Sequence, residues 1–222
     1  MENSAGEYFL SLLDDALRSV KNDMLGEENP FLDYTLRGEE KKTSAERKLS
    51  VRERFLNCHS CDGWMHRDER FSAGKGPLHP LVVFVAERTL AGGAMLTPSG
   101  GVMLNTWSSA IKLEKAKECY LTTLIKCPSD EDTFHEECVS LLREQIRTLK
   151  PKVVLFLGPL ALPLLGCETM QDARKGIHDF EGATAVMTYS PSQVERDPRL
   201  KAAVWEDLKK VAWYAGIKDR RC

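Results

Sequence analysis

Four short apolar runs, spaced along the chain between helical patterns, constrain the fold most strongly. They are Leu81–Ala86, Cys119–Ile125, Val153–Leu157 and Thr184–Tyr189. Each is rich in β-branched and aromatic residues and short enough to be a strand. Helical periodicity covers about 100–112, 134–149, 159–166 and 199–214. Strands that read as unbroken apolar runs and alternate with helices predict a mainly parallel four-stranded sheet covered on both faces. In such sheets ligands bind beyond the carboxyl ends of the strands. Glu87, Lys126–Cys127, Gly158 and Ser190–Pro191 follow those ends and are expected on one rim.

Upstream of this pattern the chain changes character. Residues 7–21 place Phe9, Leu13, Ala16, Leu17 and Val20 on one helical face, and residues 26–50 are polar with Gly26, Pro30 and Gly38. The expected division is an N-terminal helix and linker over 1–50 and a compact domain over 51–222. Charge divides the same way. Residues 1–33 carry a net −6 and the remainder +4, which together give the −2 of the 222-residue chain. A mildly basic body permits a polyanionic partner.

Several classes are excluded. A 42% hydrophobic and 29% charged composition is that of a globular chain, neither disordered nor collagen-like. The longest apolar stretch, Val153–Cys167, is interrupted by Gly158, Pro159, Pro163 and Gly166, whereas a membrane span needs about 18 uninterrupted apolar residues. The first residues lack a basic segment ahead of an apolar one, so no signal peptide is expected. The chain is expected to be a cytoplasmic monomer, and its seven cysteines then point to metal or thiol chemistry rather than disulfides.

Cys58 and Cys61 form a C-x-x-C pair, Cys127 follows the second strand, and Cys138 opens the next helix. Thiolates at these spacings suit a tetrahedral metal or an iron–sulfur cluster, and ligand identity leaves zinc and iron–sulfur both open. Cys119 and Cys167 lie in apolar surroundings and read as small core residues. His59, His66, His135 and His178 have no spacing that compels a catalytic role.

From Cys58 to the last helix the chain resembles the family 4, iron–sulfur uracil-DNA glycosylases. The resemblance is carried by Cys58-His59-Ser60-Cys61 with Arg67 behind it, by FSAGKGP and VFVAE, and by YLTTLIKC. It continues through ECVSLLREQIRTLKPKVVLFLGPLAL and TYSPSQVERDPRLKAAVWEDL. It implies a three-layer α/β/α sandwich and a 4Fe–4S cluster on Cys58, Cys61, Cys127 and Cys138, with zinc as the alternative. It further implies DNA as the partner and hydrolysis of the N-glycosidic bond of uracil or another damaged base.

The departures bear on that chemistry. The family's Gly-Glu-x-Pro-Gly turn reads Ala86-Glu87-Arg88-Thr89-Leu90 here. Its stacking phenylalanine aligns with Leu96, its base-reading asparagine with Thr123, and the histidine of its His-Pro-Ser loop with Ser190. Leu96 forgoes an aromatic stacking contribution of about 1–3 kcal/mol per base. Thr123 offers one hydroxyl where asparagine offers a donor and an acceptor. Loss of a preorganised donor to the leaving base, as at Ser190, raises a barrier by about 3–4 kcal/mol. The resemblance thus implies a remodelled pocket with Glu87 and Ser190 in catalytic positions and Ala86, Leu96 and Thr123 lining the base site. Val194 is expected as an apolar wedge and Arg196 as a phosphate contact in the loop Ser190–Pro198. A catalytically inactive DNA-binding or damage-recognition protein on the same scaffold is the alternative. Lys201, Lys209, Lys210, Lys218, Arg220 and Arg221 give a basic C-terminal end, and Gly100-Gly101 opens a helix where backbone N–H groups can meet phosphate.

Overall fold

The computed structural model describes residues 50–67, 70–128 and 135–217. The helix expected at 7–21, its linker through residue 49, and Lys218, Arg220 and Arg221 lie outside the described residues. Six strands form one sheet: β1 (Gly74–Lys75), β2 (Val82–Arg88), β3 (Cys119–Ile125), β4 (Val153–Leu157), β5 (His178–Phe180) and β6 (Ala183–Thr188). Their order is β1-β3-β2-β4-β6-β5. The inner four are parallel and correspond to the four apolar runs, while β1 and β5 add antiparallel edges. The edge strands contain two and three residues, too few to carry a periodic signal.

Helices lie on both faces. In chain order the α-helices are α1 (Val51–Leu56), α2 (Pro98–Ala110), α3 (Lys115–Glu118), α4 (Glu136–Leu149), α5 (Met170–Lys175), α6 (Pro191–Arg196) and α7 (Lys201–Tyr214). Strand residues alternate between the two sides, as the pleat requires. Val82, Phe84, Leu121, Val153, Leu155 and Val186 face Met103, Leu104 and Trp107 of α2 and Val204, Leu208 and Val211 of α7. Val83, Val85, Leu124, Val154, Phe156 and Met187 face Leu142, Ile146 and Leu149 of α4 and Ala173 of α5. The result is a three-layer sandwich with a core on each side of the sheet. Residues 159–165, expected as a helix, form a 3-10 segment. Among the described residues no helix is long and apolar enough to cross a membrane.

The β5–β6 hairpin shows how a local irregularity is held. Its two-residue turn, Glu181-Gly182, has φ of 54° and 79°, the positive values a type I′ turn needs. Glu181 is not the glycine or asparagine usual there. Its carboxylate accepts from Arg143 (2.6 Å) and Arg147 (2.5 Å) on α4, which offsets the strained backbone.

Candidate active site and cysteine centre

Glu87 is the next-to-last residue of β2 and shares the side of the sheet that faces α4. Its carboxylate lies over the exit of β4, where the Leu160 N–H donates to Oε1 at 3.2 Å. Gly158 allows this approach: its φ is +98°, and a Cβ there would sit 2.6 Å from the Glu87 carboxylate. The Gly158 N–H is in turn bound to the Thr188 carbonyl at 2.9 Å. A half-buried carboxylate is therefore fixed at the carboxyl rim of the sheet by backbone from the neighbouring strand.

Ala86 and Thr123 are register partners on the opposite face. Both are buried, and the Thr123 hydroxyl meets the Thr89 hydroxyl at 2.9 Å. Thr89, which follows β2, is itself buried and donates its N–H to the Ile125 carbonyl. Leu96 is partly buried against the α2 and α7 core.

The segment after β6 differs from the expected loop. Pro191–Arg196 is the short helix α6, and Ser190 is its N-cap. The Ser190 hydroxyl accepts from the Gln193 N–H at 3.3 Å, and the Gln193 side chain accepts from the Ser190 N–H at 2.9 Å. This is a reciprocal capping box. The hydroxyl also lies 3.0 Å from that of Ser192, so Ser190 is engaged in ending its own helix. Val194 is fully buried in the α2 and α7 core, which overturns its reading as an exposed wedge. Helical winding turns that apolar side chain inward and leaves Ser192 and Arg196 on the exposed side. Gly100 and Gly101 are buried as well. The Gly100 N–H is already given to the Thr97 hydroxyl at 3.0 Å, and Pro191 of α6 lies over that turn, so the backbone there is covered rather than open to phosphate. Within the described part of the basic end, Lys201 is buried, Lys209 pairs with Glu206, and Lys210 with Asp207. His178, on the edge strand β5, is bonded to the Ala173 carbonyl at 2.9 Å.

A support for the Ser190 turn lies one residue earlier. The Arg174 guanidinium sits 4.7 Å from the centre of the Tyr189 ring. It donates to the Ala203 carbonyl (2.7 Å) and to Asp207 (2.5 Å), whose side chain is wholly buried. α5, α7 and the start of the turn are thereby joined.

The cysteines come from three segments. Cys58 and Cys61 follow α1, Cys127 lies beyond β3, and Cys138 is in the first turn of α4. α1 is held on α4 by Arg54, which donates to Glu137 (2.5 Å), Ser140 (3.1 Å) and Glu144. Arg67 folds back to donate to the Phe55 and Cys58 carbonyls and stacks 4.8 Å from the Phe55 ring centre. Gly63 closes the gap: a Cβ there would meet the Cys127 Cβ at 2.8 Å and the Cys61 sulfur at 3.6 Å. Cys127 and Cys138 are buried, while Cys58 and Cys61 are half-buried.

The electrostatics reflect this convergence. Burial pushes the Cys127 thiol up to about 12; Arg67 opposes the rise, and Cys61, Cys138 and Cys58 add to it. Burial also raises Cys138, with Lys126 opposing and Cys61 and Cys58 adding. Burial brings the Lys126 ammonium down to about 7 against the pull of Cys138 and Cys127. The neighbouring cysteines thus act in the same direction on both buried thiols. Among the described residues no group of three or more His, Cys, Asp or Glu is arranged to hold a metal ion.

Sequence reasoning passed over Arg174 and, although it set Gly158 and Lys126 on the rim and Thr89 in the altered turn, gave none of the three a role. Lysine inside YLTTLIKC was the one visible signal, because a charge adjoining an apolar strand must find compensation.

Residues 73–209, more than half of the 222, match the model of the uracil DNA glycosylase superfamily. The chain is also similar to the type-4 uracil-DNA glycosylase of Pyrobaculum aerophilum. The two are 25% identical over 190 residues, covering 77% of this chain and 94% of that protein. With that match over its strands, its rim and its last helix, the chain belongs to the uracil DNA glycosylase superfamily.

Proposed function

We propose that this protein is an iron–sulfur DNA glycosylase of base-excision repair, hydrolysing the bond between a damaged base and deoxyribose in a pocket altered from that of uracil removal. The observation that carries this reading is the Glu87 carboxylate, anchored at the sheet rim by the Leu160 N–H and the bare Gly158. In the proposed reaction the C1′–N bond breaks, and the electron pair leaves with the base as an anion. The sugar becomes oxocarbenium-like, and water adds at C1′. Glu87 offsets the sugar's positive charge and takes the proton released by the water. The departing anion is protonated from solvent. Leu96 and Ala86 form an apolar wall, and Arg196, on the exposed side of α6, contacts a phosphate.

Cys58, Cys61, Cys127 and Cys138 would hold the 4Fe–4S cluster, which when bound cross-links three chain segments. Four thiolate donors with no histidine or carboxylate among them fit the chemistry of such a group.

A second reading, damage recognition without catalysis, is favoured by the same engagement of Thr123 and Ser190. Anaerobically purified protein incubated with oligonucleotides carrying uracil, hypoxanthine or xanthine, then treated with alkali, separates the two. Strand cuts abolished by Glu87→Gln support excision. Binding to DNA without cuts at any lesion overturns excision in favour of recognition.

A further inference from the structure

Thr188, the last residue of β6, is fully buried, and its hydroxyl has no hydrogen-bond partner among the described residues. Most buried hydroxyls are paired, because an unpaired one keeps the full cost of losing water. Three further buried polar atoms lack a partner there: Asn105 Oδ1, Trp107 Nε1 and Glu195 Oε1. Those belong to the helices α2 and α6. Thr188 alone of the four stands on the carboxyl rim of the sheet.

Register sets its surroundings. Thr188 pairs with Leu157. Val85 pairs with Phe156, which brings Ala86 level with Leu157, and Ala86 pairs with Thr123. One row therefore crosses four neighbouring strands at the rim. Ala86 and Leu157 face the α2 and α7 core, as does Val186, two residues before Thr188 on the same side of β6. Two strands, about 10 Å, separate Thr188 from Ala86, a gap that a flat base laid over Leu157 spans. The other hydroxyls around this wall are engaged, Thr123 with Thr89 and Ser190 with the Gln193 N–H. The main chain of Thr188 also serves the carboxylate side, since its carbonyl accepts from the Gly158 N–H beside Glu87.

On the base pocket proposed above, on which this inference rests, we infer that Thr188 is the residue that recognises the base, its hydroxyl donating to an oxo group on the base edge. The hydroxyl is sealed from solvent, so the base enters over Leu157 as Leu96, only partly buried in the same core, gives way. Binding then supplies the hydrogen bond that the folded chain leaves unmade.

The test compares the full chain as wild type, Thr188→Val and Thr188→Ser. Thermal unfolding is measured, together with excision and affinity for oligonucleotides carrying uracil, hypoxanthine or xanthine, and affinity for the same oligonucleotide carrying a tetrahydrofuran abasic analogue. Valine removes an unpaired hydroxyl, so Thr188→Val is expected to unfold at or above the wild-type temperature. Its affinity for the preferred lesion should fall by about 5- to 10-fold, with excision falling alongside and binding to the abasic analogue unchanged. Thr188→Ser keeps the hydroxyl and should stay close to wild type on the lesion. Wild-type lesion affinity in Thr188→Val, an equal loss on the abasic analogue, or earlier unfolding overturns the role of Thr188 and leaves the pocket reading standing. Wild-type protein that neither cuts any lesion nor prefers one over undamaged DNA overturns both.

Discussion

The α-carbon of Gly158 lies against the carboxylate of Glu87, with only 2.6 Å between that carboxylate and the place a side chain would begin. Gly158→Ala therefore displaces the carboxylate and forces alanine to a φ of +98°. Misplacement of a reacting group by about 1 Å can cost about 100-fold in rate, and the strained backbone costs about 1–3 kcal/mol. Excision kinetics should fall by about 100-fold, beyond what thermal unfolding accounts for. Full activity in Gly158→Ala would remove Glu87 from the mechanism.

Thr123 is expected to shape the pocket wall rather than read a base, because its hydroxyl is bonded to that of Thr89. Thr123→Val should cost about 1–3 kcal/mol by leaving a buried hydroxyl at Thr89 unpaired. The ranking of lesions in the oligonucleotide panel should stay the same. A changed ranking would show that the hydroxyl reaches the base.

Asp207 joins Arg174 and Lys210 beneath the Tyr189 ring. Asp207→Ala strands the Arg174 charge beside the core, and breaking a buried pair of this kind costs about 3–5 kcal/mol. Denaturant unfolding should report a loss in that range. A loss under about 1 kcal/mol would place the pair in the class of solvent-screened surface bridges.

Acid should weaken the β5–β6 turn. Arg147, aided by Arg143 and opposed by burial, holds the Glu181 carboxyl below its ordinary value of 4.5. A carboxyl whose folded pKa is depressed contributes its full stability above the unfolded value. That contribution is lost as pH falls through the folded value. Glu181→Gln should therefore flatten the stability curve below about pH 4.5 while lowering the plateau above it. An unchanged acid limb in the variant would show that other carboxyls govern it.

The inner sheet was legible because Val82–Val85, Cys119–Ile125 and Val153–Leu157 are buried throughout and, Thr122 and Thr123 apart, stay apolar. Gly158 was harder to read: its role depends on Glu87, from which it is separated by 71 positions in sequence. Val194 was misread because an apolar residue among polar ones in a supposed loop suggests an exposed wedge. The Ser190-x-x-Gln193 capping box was the local signal that the segment is helical and turns Val194 inward. The Thr123–Thr89 bond depends on the path of the chain after β2, which strand periodicity does not determine.

Arg54 ties the peptide leading to Cys58 and Cys61 to Glu137, the immediate neighbour of Cys138. The segment that carries Cys58 and Cys61 is thus fixed against the first turn of α4. On the cluster reading proposed above, the chain itself would bring these segments together before any iron binds.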